Sequence, residues 1–145
     1  MTIRSIREDK ERFLPLLLDA DPDAGMIRRY LDRGTLYAME QEGEVLCLAV
    51  MVREGRGCEL KNLVTAPAHR RKGYAGAMLR FLLSRYRRVC GFMLVGTSET
   101  MEPYYEGYGF RYVYTLPGFF TRNYPKPIFE NGRQVVDMLV LRKGL

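Results

Sequence analysis

Leu63-Val64-Thr65-Ala66-Pro67-Ala68-His69-Arg70-Arg71-Lys72-Gly73-Tyr74-Ala75-Gly76 is the stretch whose reading decides the fold. It opens as the end of an apolar strand. Beyond it Ala75, Met78, Leu79, Leu82, Leu83 and Tyr86 recur at helical spacing, with Arg80, Ser84, Arg85 and Arg87 left for solvent. A strand, a loop and an amphipathic helix are expected in that order. Small residues at 73, 75 and 76 allow close approach of a backbone, and the first turn of a helix offers N–H groups at the positive end of its dipole. Two arginines and a lysine add positive charge at the same place. The combination is suited to a phosphate or pyrophosphate.

Working outward, Thr35 to Gln41, Glu44 to Arg53 and Cys58 to Thr65 are strand-like. Glu42-Gly43 and the Gly-containing 54–57 segment join them, so three consecutive antiparallel strands are expected. Residues 2–7 predict a first strand. A helix is expected from Asp9 to Ala20, kinked or shortened by Pro15, and a second short one ending near Leu31. Val89 to Val95 is nearly all apolar, as for a strand covered on both faces. A small helix starting near Met101 is expected to end at Gly109, and strands are expected at Arg111–Leu116 and Gln134–Arg142. The 117–133 connection, rich in Phe, Tyr, Pro and Gly, is too long for a plain hairpin loop.

Length and composition bound the function. A chain of 145 residues suits one domain, 1–145, and 47% hydrophobic with 28% charged residues suits a soluble globular one. No stretch approaches the ~20 apolar residues of a membrane span. Cys47, Cys58 and Cys90 lack metal-ligand spacing and read as reduced cysteines of a cytoplasmic protein. His69 is the only histidine, which argues against a histidine metal site or a Ser-His-Asp triad. No metal is expected. The net charge of +6 suits an anionic cofactor, nucleic acid or acidic partners. For most basic residues solvated helix surface suffices as an explanation. The 70–72 cluster differs because of the glycines beside it.

Two motifs and the order of elements resemble the GNAT superfamily of acyl-CoA-dependent N-acetyltransferases. The first is Arg70-Arg71-Lys72-Gly73-Tyr74-Ala75 after the 63–67 strand end. It fits that family's pattern of Arg or Gln, two residues, Gly, one residue, then Gly or Ala. The second, Tyr104-Tyr105-Glu106-Gly107-Tyr108-Gly109-Phe110, is similar to the family's aromatic-Tyr-Glu-x-x-Gly-Phe segment. The resemblance implies an α+β single domain with a mixed, mostly antiparallel sheet flanked by helices. It implies acetyl-CoA as co-substrate, with its pyrophosphate on the amides of Arg71 to Gly76 beside Arg70. The backbone of Leu63, Val64 and Thr65, splayed from its neighbour at a bulge, would serve the pantetheine amides and the thioester oxygen.

The same resemblance puts Tyr105 in the role of the acid that protonates the departing thiolate. A phenol, protonated at neutral pH, is chemically able to do this. The alternative is a packing tyrosine. Glu59 matches the base glutamate of histone-type members, against a strand-face carboxylate paired with Lys61 or an arginine. Glu99 and Glu102 are rivals for that role. An amine of pKa about 10.4 costs about 4–5 kcal/mol to deprotonate at pH 7. Positioning contributes about 7–11 kcal/mol, so it outweighs that cost.

The resemblance implies a primary amine of a small molecule or peptide as the acceptor. An RNA-directed enzyme acting on charged tRNA and a non-catalytic acetyl-CoA-binding module are the alternatives, and a homodimer is possible. Asp19, Asp21, Asp23 and Glu130 are candidates to line an acceptor cleft, with solvated caps as the other account of the aspartates. The 117–133 segment is expected to fold over that cleft or to form a dimer contact.

Overall fold

The alternating residues 35–65 build the centre of the molecule. The structure is a computed structural model that describes residues 1–145. In it β1 (Thr2–Ile6) pairs with β2 (Thr35–Gln41), followed by β3 (Glu44–Glu54) and β4 (Gly57–Thr65), all antiparallel. Glu42 and Gly43 turn the first hairpin of the meander at φ 51° and 79°, the pair of left-handed residues that a tight two-residue turn requires. Between β1 and β2 lie α1 (Leu14–Leu17) and α2 (Ala24–Leu31). From β4 the chain crosses through α3 (Tyr74–Tyr86) to β5 (Phe92–Thr97), which runs parallel to β4. A parallel neighbour needs such a crossover.

Next come α4 (Glu102–Glu106), β6 (Arg111–Leu116) and α5 (Phe119–Asn123). A separate hairpin of β7 (Ile128–Glu130) and β8 (Arg133–Val135) then leads to β9 (Met138–Gly144). The main sheet has seven strands in the order β1-β2-β3-β4-β5-β9-β6, with only β4 and β5 parallel.

The sheet separates two cores. On one face Ile6, Leu36, Leu48 and Val50 pack with Leu17, Ile27 and Leu31 of α1 and α2. On the other, Met39, Cys47, Met51 and Met93 pack with Leu79 and Leu82 of α3 and with Phe110. A bulge controls which residues of β4 face which core. Val50 pairs with Asn62 and Met51 with Leu60, leaving Lys61 unmatched. The extra residue reverses the side-chain parity. Cys58 and Leu60 therefore face α3, whereas Asn62 and Val64 face α1 and α2.

Several expectations are corrected. Residues 9–20 do not form one helix: a 3-10 turn at Lys10–Phe13 precedes the single turn of α1. Pro15, which lacks an N–H, lies within the first two positions of that turn. β5 begins at Phe92 rather than Val89, which is exposed, and its burial alternates instead of covering both faces. Gly107 rather than Gly109 ends α4, and Gly109 takes φ 97° in the turn toward β6. The strand expected at 134–142 is broken at Val136–Asp137. There the Val136 carbonyl accepts from Phe120 N–H at 2.9 Å, and the Asp137 carboxylate from Gly118 N–H at 2.7 Å. Those groups anchor α5 instead of continuing a ladder.

Candidate functional site

Between β4 and β5 the sheet opens. Their parallel pairing runs from Gly57–Phe92 to Leu60–Val95 and stops there. Beyond it β5 continues beside β9, while residues 62–65 of β4 keep only β3 as a partner. One backbone edge of Leu63, Val64 and Thr65 is thus left toward the gap. The bulge at Lys61 lies where the two strands part.

The loop after β4 leads into the N-terminus of α3 beside this gap. No backbone N–H from Arg70 to Gly76 donates to a backbone carbonyl or to a side chain, and the first bond of the helix is Ala77 N–H to Gly73 O at 3.0 Å. Arg71 and Gly73 both take left-handed φ, 63° and 86°. Neighbouring residues of alternating hand turn successive amides toward one point, the geometry that binds anions. Gly73 has no neighbour where a Cβ would stand, so its glycine serves conformation. Gly76 serves space: a Cβ there would overlap the Tyr108 hydroxyl, which rests on the helix. Arg71 and Lys72 form no ion pair, whereas Arg70 lies 3.6 Å from Asp19. The chain thus concentrates unpaired donors and two free cations at one helix end.

Tyr105 sits on α4, buried in the α3-side core with Leu60, Cys47 and Phe110. Its ring makes edge contacts with Tyr104 and Phe110. Burial pushes its phenol up to about 12, so it stays protonated through the neutral range. The hydroxyl has no partner within the protein. Asn62 Oδ1 is the one fully enclosed side-chain polar atom without a partner, so solvent still reaches the Tyr105 oxygen.

Glu59 lies on the opposite face of β4, with its carboxylate 3.2 Å from Lys61 Nζ. The Lys61 ammonium in turn lies 5.8 Å from the centre of the Tyr30 ring. The pairing with Lys61 weighed against a base role is therefore present. Glu59 on β4 and Tyr105 on α4 stand on different sides of the sheet, one on each face of the opening. His69 pairs with Glu44 at 2.6 Å.

The acidic candidates separate by role. Asp23 caps α2, accepting from Met26 N–H at 2.9 Å. Asp19 meets Arg70. Asp21, by contrast, is a buried carboxylate: Oδ2 accepts from Tyr30 at 2.8 Å and Oδ1 from Tyr124 at 2.6 Å. Burial raises its pKa, opposed by these two hydrogen bonds. Tyr30 in turn accepts from Asn62 Nδ2 at 3.1 Å. Asn62 and Tyr124 were not singled out from the sequence. A polar residue inside the otherwise apolar 60–64 run was the available signal for Asn62. Nothing local marks Tyr124 among ten tyrosines.

Residues 32–112 match the family model of the acetyltransferase (GNAT) domain. A Bacillus subtilis relative, the uncharacterized N-acetyltransferase YvbK, is 27% identical over 139 residues, 92% of this chain and 90% of that protein. Among solved structures, a GNAT family acetyltransferase from Elizabethkingia anophelis with acetyl-CoA bound superposes with a TM-score of 0.93 at 31% identity. It covers 99% of this chain and 97% of its own. An acetyltransferase from Bacillus subtilis in complex with CoA superposes with a TM-score of 0.89 at 26% identity, over 99% and 97% of the two chains. On the open β4–β5 edge, the unpaired amides of α3 and these matches, the chain belongs to the GNAT acetyltransferase family, whose members are acyl-CoA-dependent N-acetyltransferases.

Proposed function

We propose that this protein transfers the acetyl group of acetyl-CoA to a primary amine of a small molecule or peptide, by direct attack within a ternary complex. The observation that carries the reading is the unbroken run of unpartnered amides from Arg70 to Gly76 beside the free edge of β4. Acetyl-CoA supplies an activated thioester and a diphosphate handle. The amides of residues 71–76, with Arg71 and Lys72, hold the diphosphate. The free backbone of Leu63 to Thr65 aligns the pantetheine arm, and one N–H there polarises the thioester carbonyl. Such a donor contributes about 3–4 kcal/mol to acyl transfer.

Tyr105 delivers a proton to the leaving thiolate. Its support is a protonated phenol with a free hydroxyl on the α4 segment that follows β5. Glu59 receives the amine's proton, directly or through water, from the α1–α2 face. The test is calorimetric titration with coenzyme A, followed by a thiol-release screen over primary amines. Coenzyme A binding and turnover of at least one amine are expected. Absence of coenzyme A binding removes the proposal.

A further inference from the structure

We propose that Asp21 and Tyr124 are positioning residues for the acceptor: their hydrogen bond fixes the 118–130 segment as a wall of the acceptor cleft on the α1–α2 face of β4. The inference rests on the acyl-transfer reading and deepens it. Apolar burial seats that segment only in part: α5 contains no fully buried residue, and Phe119 and Phe120 are half-buried. At its root Gly118 and Phe120 are tied to Asp137 and Val136. Away from the root, two side-chain hydrogen bonds reach the rest of the protein. Tyr124 donates to Asp21 Oδ1 at 2.6 Å, and Ser98 Oγ donates to Glu130 Oε1 at 2.5 Å. Both end on carboxylates, the stronger class of acceptor.

The Asp21 end leads inward. Its second oxygen takes the Tyr30 hydroxyl, which accepts from Asn62 Nδ2, and that nitrogen also donates to Leu17 O at 3.2 Å. Asn62 stands next to the bulge at Lys61, one residue before Leu63 on the free edge of β4. A continuous chain of hydrogen bonds therefore runs from the outer segment to the strand proposed to hold the thioester. The Asn62 Oδ1 at its inner end is enclosed and has no donor. Tyr30, Asp21 and Asn62 are buried, whereas Tyr124 is only half-buried. The inner part is thus a fixed anchor and the outer bond the one that solvent can replace. Ser98 and Glu130 hold the far end of the same segment near the end of β5.

Hydrogen exchange by mass spectrometry on the whole protein with coenzyme A, comparing wild type with Tyr124→Phe, tests the bond without needing the natural acceptor. Amides of 118–130 should exchange about tenfold or more faster in the variant, the loss of a hydrogen bond to a charged group. Protection of α3 and affinity for coenzyme A should hold. With phenethylamine, 1,4-diaminobutane and glycinamide as probe acceptors, the loss should fall on acceptor KM rather than on kcat. Asp21→Ala, which leaves Tyr124 with no acceptor, should repeat the pattern. Unchanged exchange at 118–130 overturns the proposal, as does faster exchange with acceptor KM unaltered. Failure of wild type to bind coenzyme A sinks the acyl-transfer reading instead, and is told apart because the exchange comparison still reports on the bond.

Discussion

Replacing Gly73 with alanine isolates the backbone geometry of the anion site from everything else. Gly73 sits at φ 86°, ψ 11° at the start of α3, and no atom lies within 4 Å of where its Cβ would stand. The substitution therefore brings no clash, only the cost of holding an L-residue in the left-handed region, about 1–2 kcal/mol. At about 2–4 °C of Tm per kcal/mol for a domain near this size, thermal unfolding should drop by roughly 2–8 °C. Part of that strain is relieved if the loop relaxes to negative φ, which turns the amides of 72–75 off their common point. Each 1.4 kcal/mol of lost donor geometry weakens coenzyme A binding about tenfold.

Gly43→Ala supplies the control. Gly43 has φ 79° and equally open surroundings, but lies in the β2–β3 turn. Differential scanning calorimetry should show both variants destabilised. Isothermal titration with coenzyme A should show weakening by about tenfold or more for Gly73→Ala alone. Equal affinity in the two variants would refute the assignment of these amides to the diphosphate.

Three further outcomes follow from the geometry. Tyr105→Phe should lower kcat by about 10²–10⁴-fold with coenzyme A affinity retained. With the wild-type phenol at about 12, no descending limb of the pH–rate profile below pH 10 should come from this group, which a kcat series from pH 7 to 10 checks. Gly76→Ala drives a methyl into the Tyr108 hydroxyl, an overpacking cost of about 1–3 kcal/mol, from which the helix preference of alanine over glycine returns about 1 kcal/mol. Tyr108→Phe removes that oxygen, and the next ring atom is 3.6 Å from the new methyl, so the double variant should recover most of the loss in denaturant melts. Alkaline stability should fall in a defined window. Burial raises Cys47 to about 11, Cys58 to about 12 and Tyr105 to about 12. A group whose folded pKa lies above its unfolded value contributes fully below the unfolded pKa and loses that contribution as pH rises through the folded one. Urea midpoints should therefore hold to about pH 8.5, where free thiols begin to ionise, and decline up to pH 12.

Residues close together in the chain carried most of the legible information. The β2–β4 meander, α3 and the anion-binding turn follow from alternation, helical spacing and glycines at left-handed positions, each decided by interactions within a few residues. Where the reading went astray, a distant group had intervened. The Gln134–Arg142 strand breaks because Val136 and Asp137 bind backbone amides of α5 nearly twenty residues earlier. The 117–133 connection contains α5 and a hairpin that only its tertiary anchors orient.

By itself the sequence determined that an anion-binding helix terminus follows an apolar strand, because glycine conformation and dipole direction are local properties. Which face of β4 each side chain serves was decided by the bulge at Lys61, since one extra residue reverses every side chain after it. That Asp21 meets Tyr124, 103 residues away, was likewise a matter of tertiary structure. A carboxylate's environment depends on what packs around it, and no spacing in the chain encodes that.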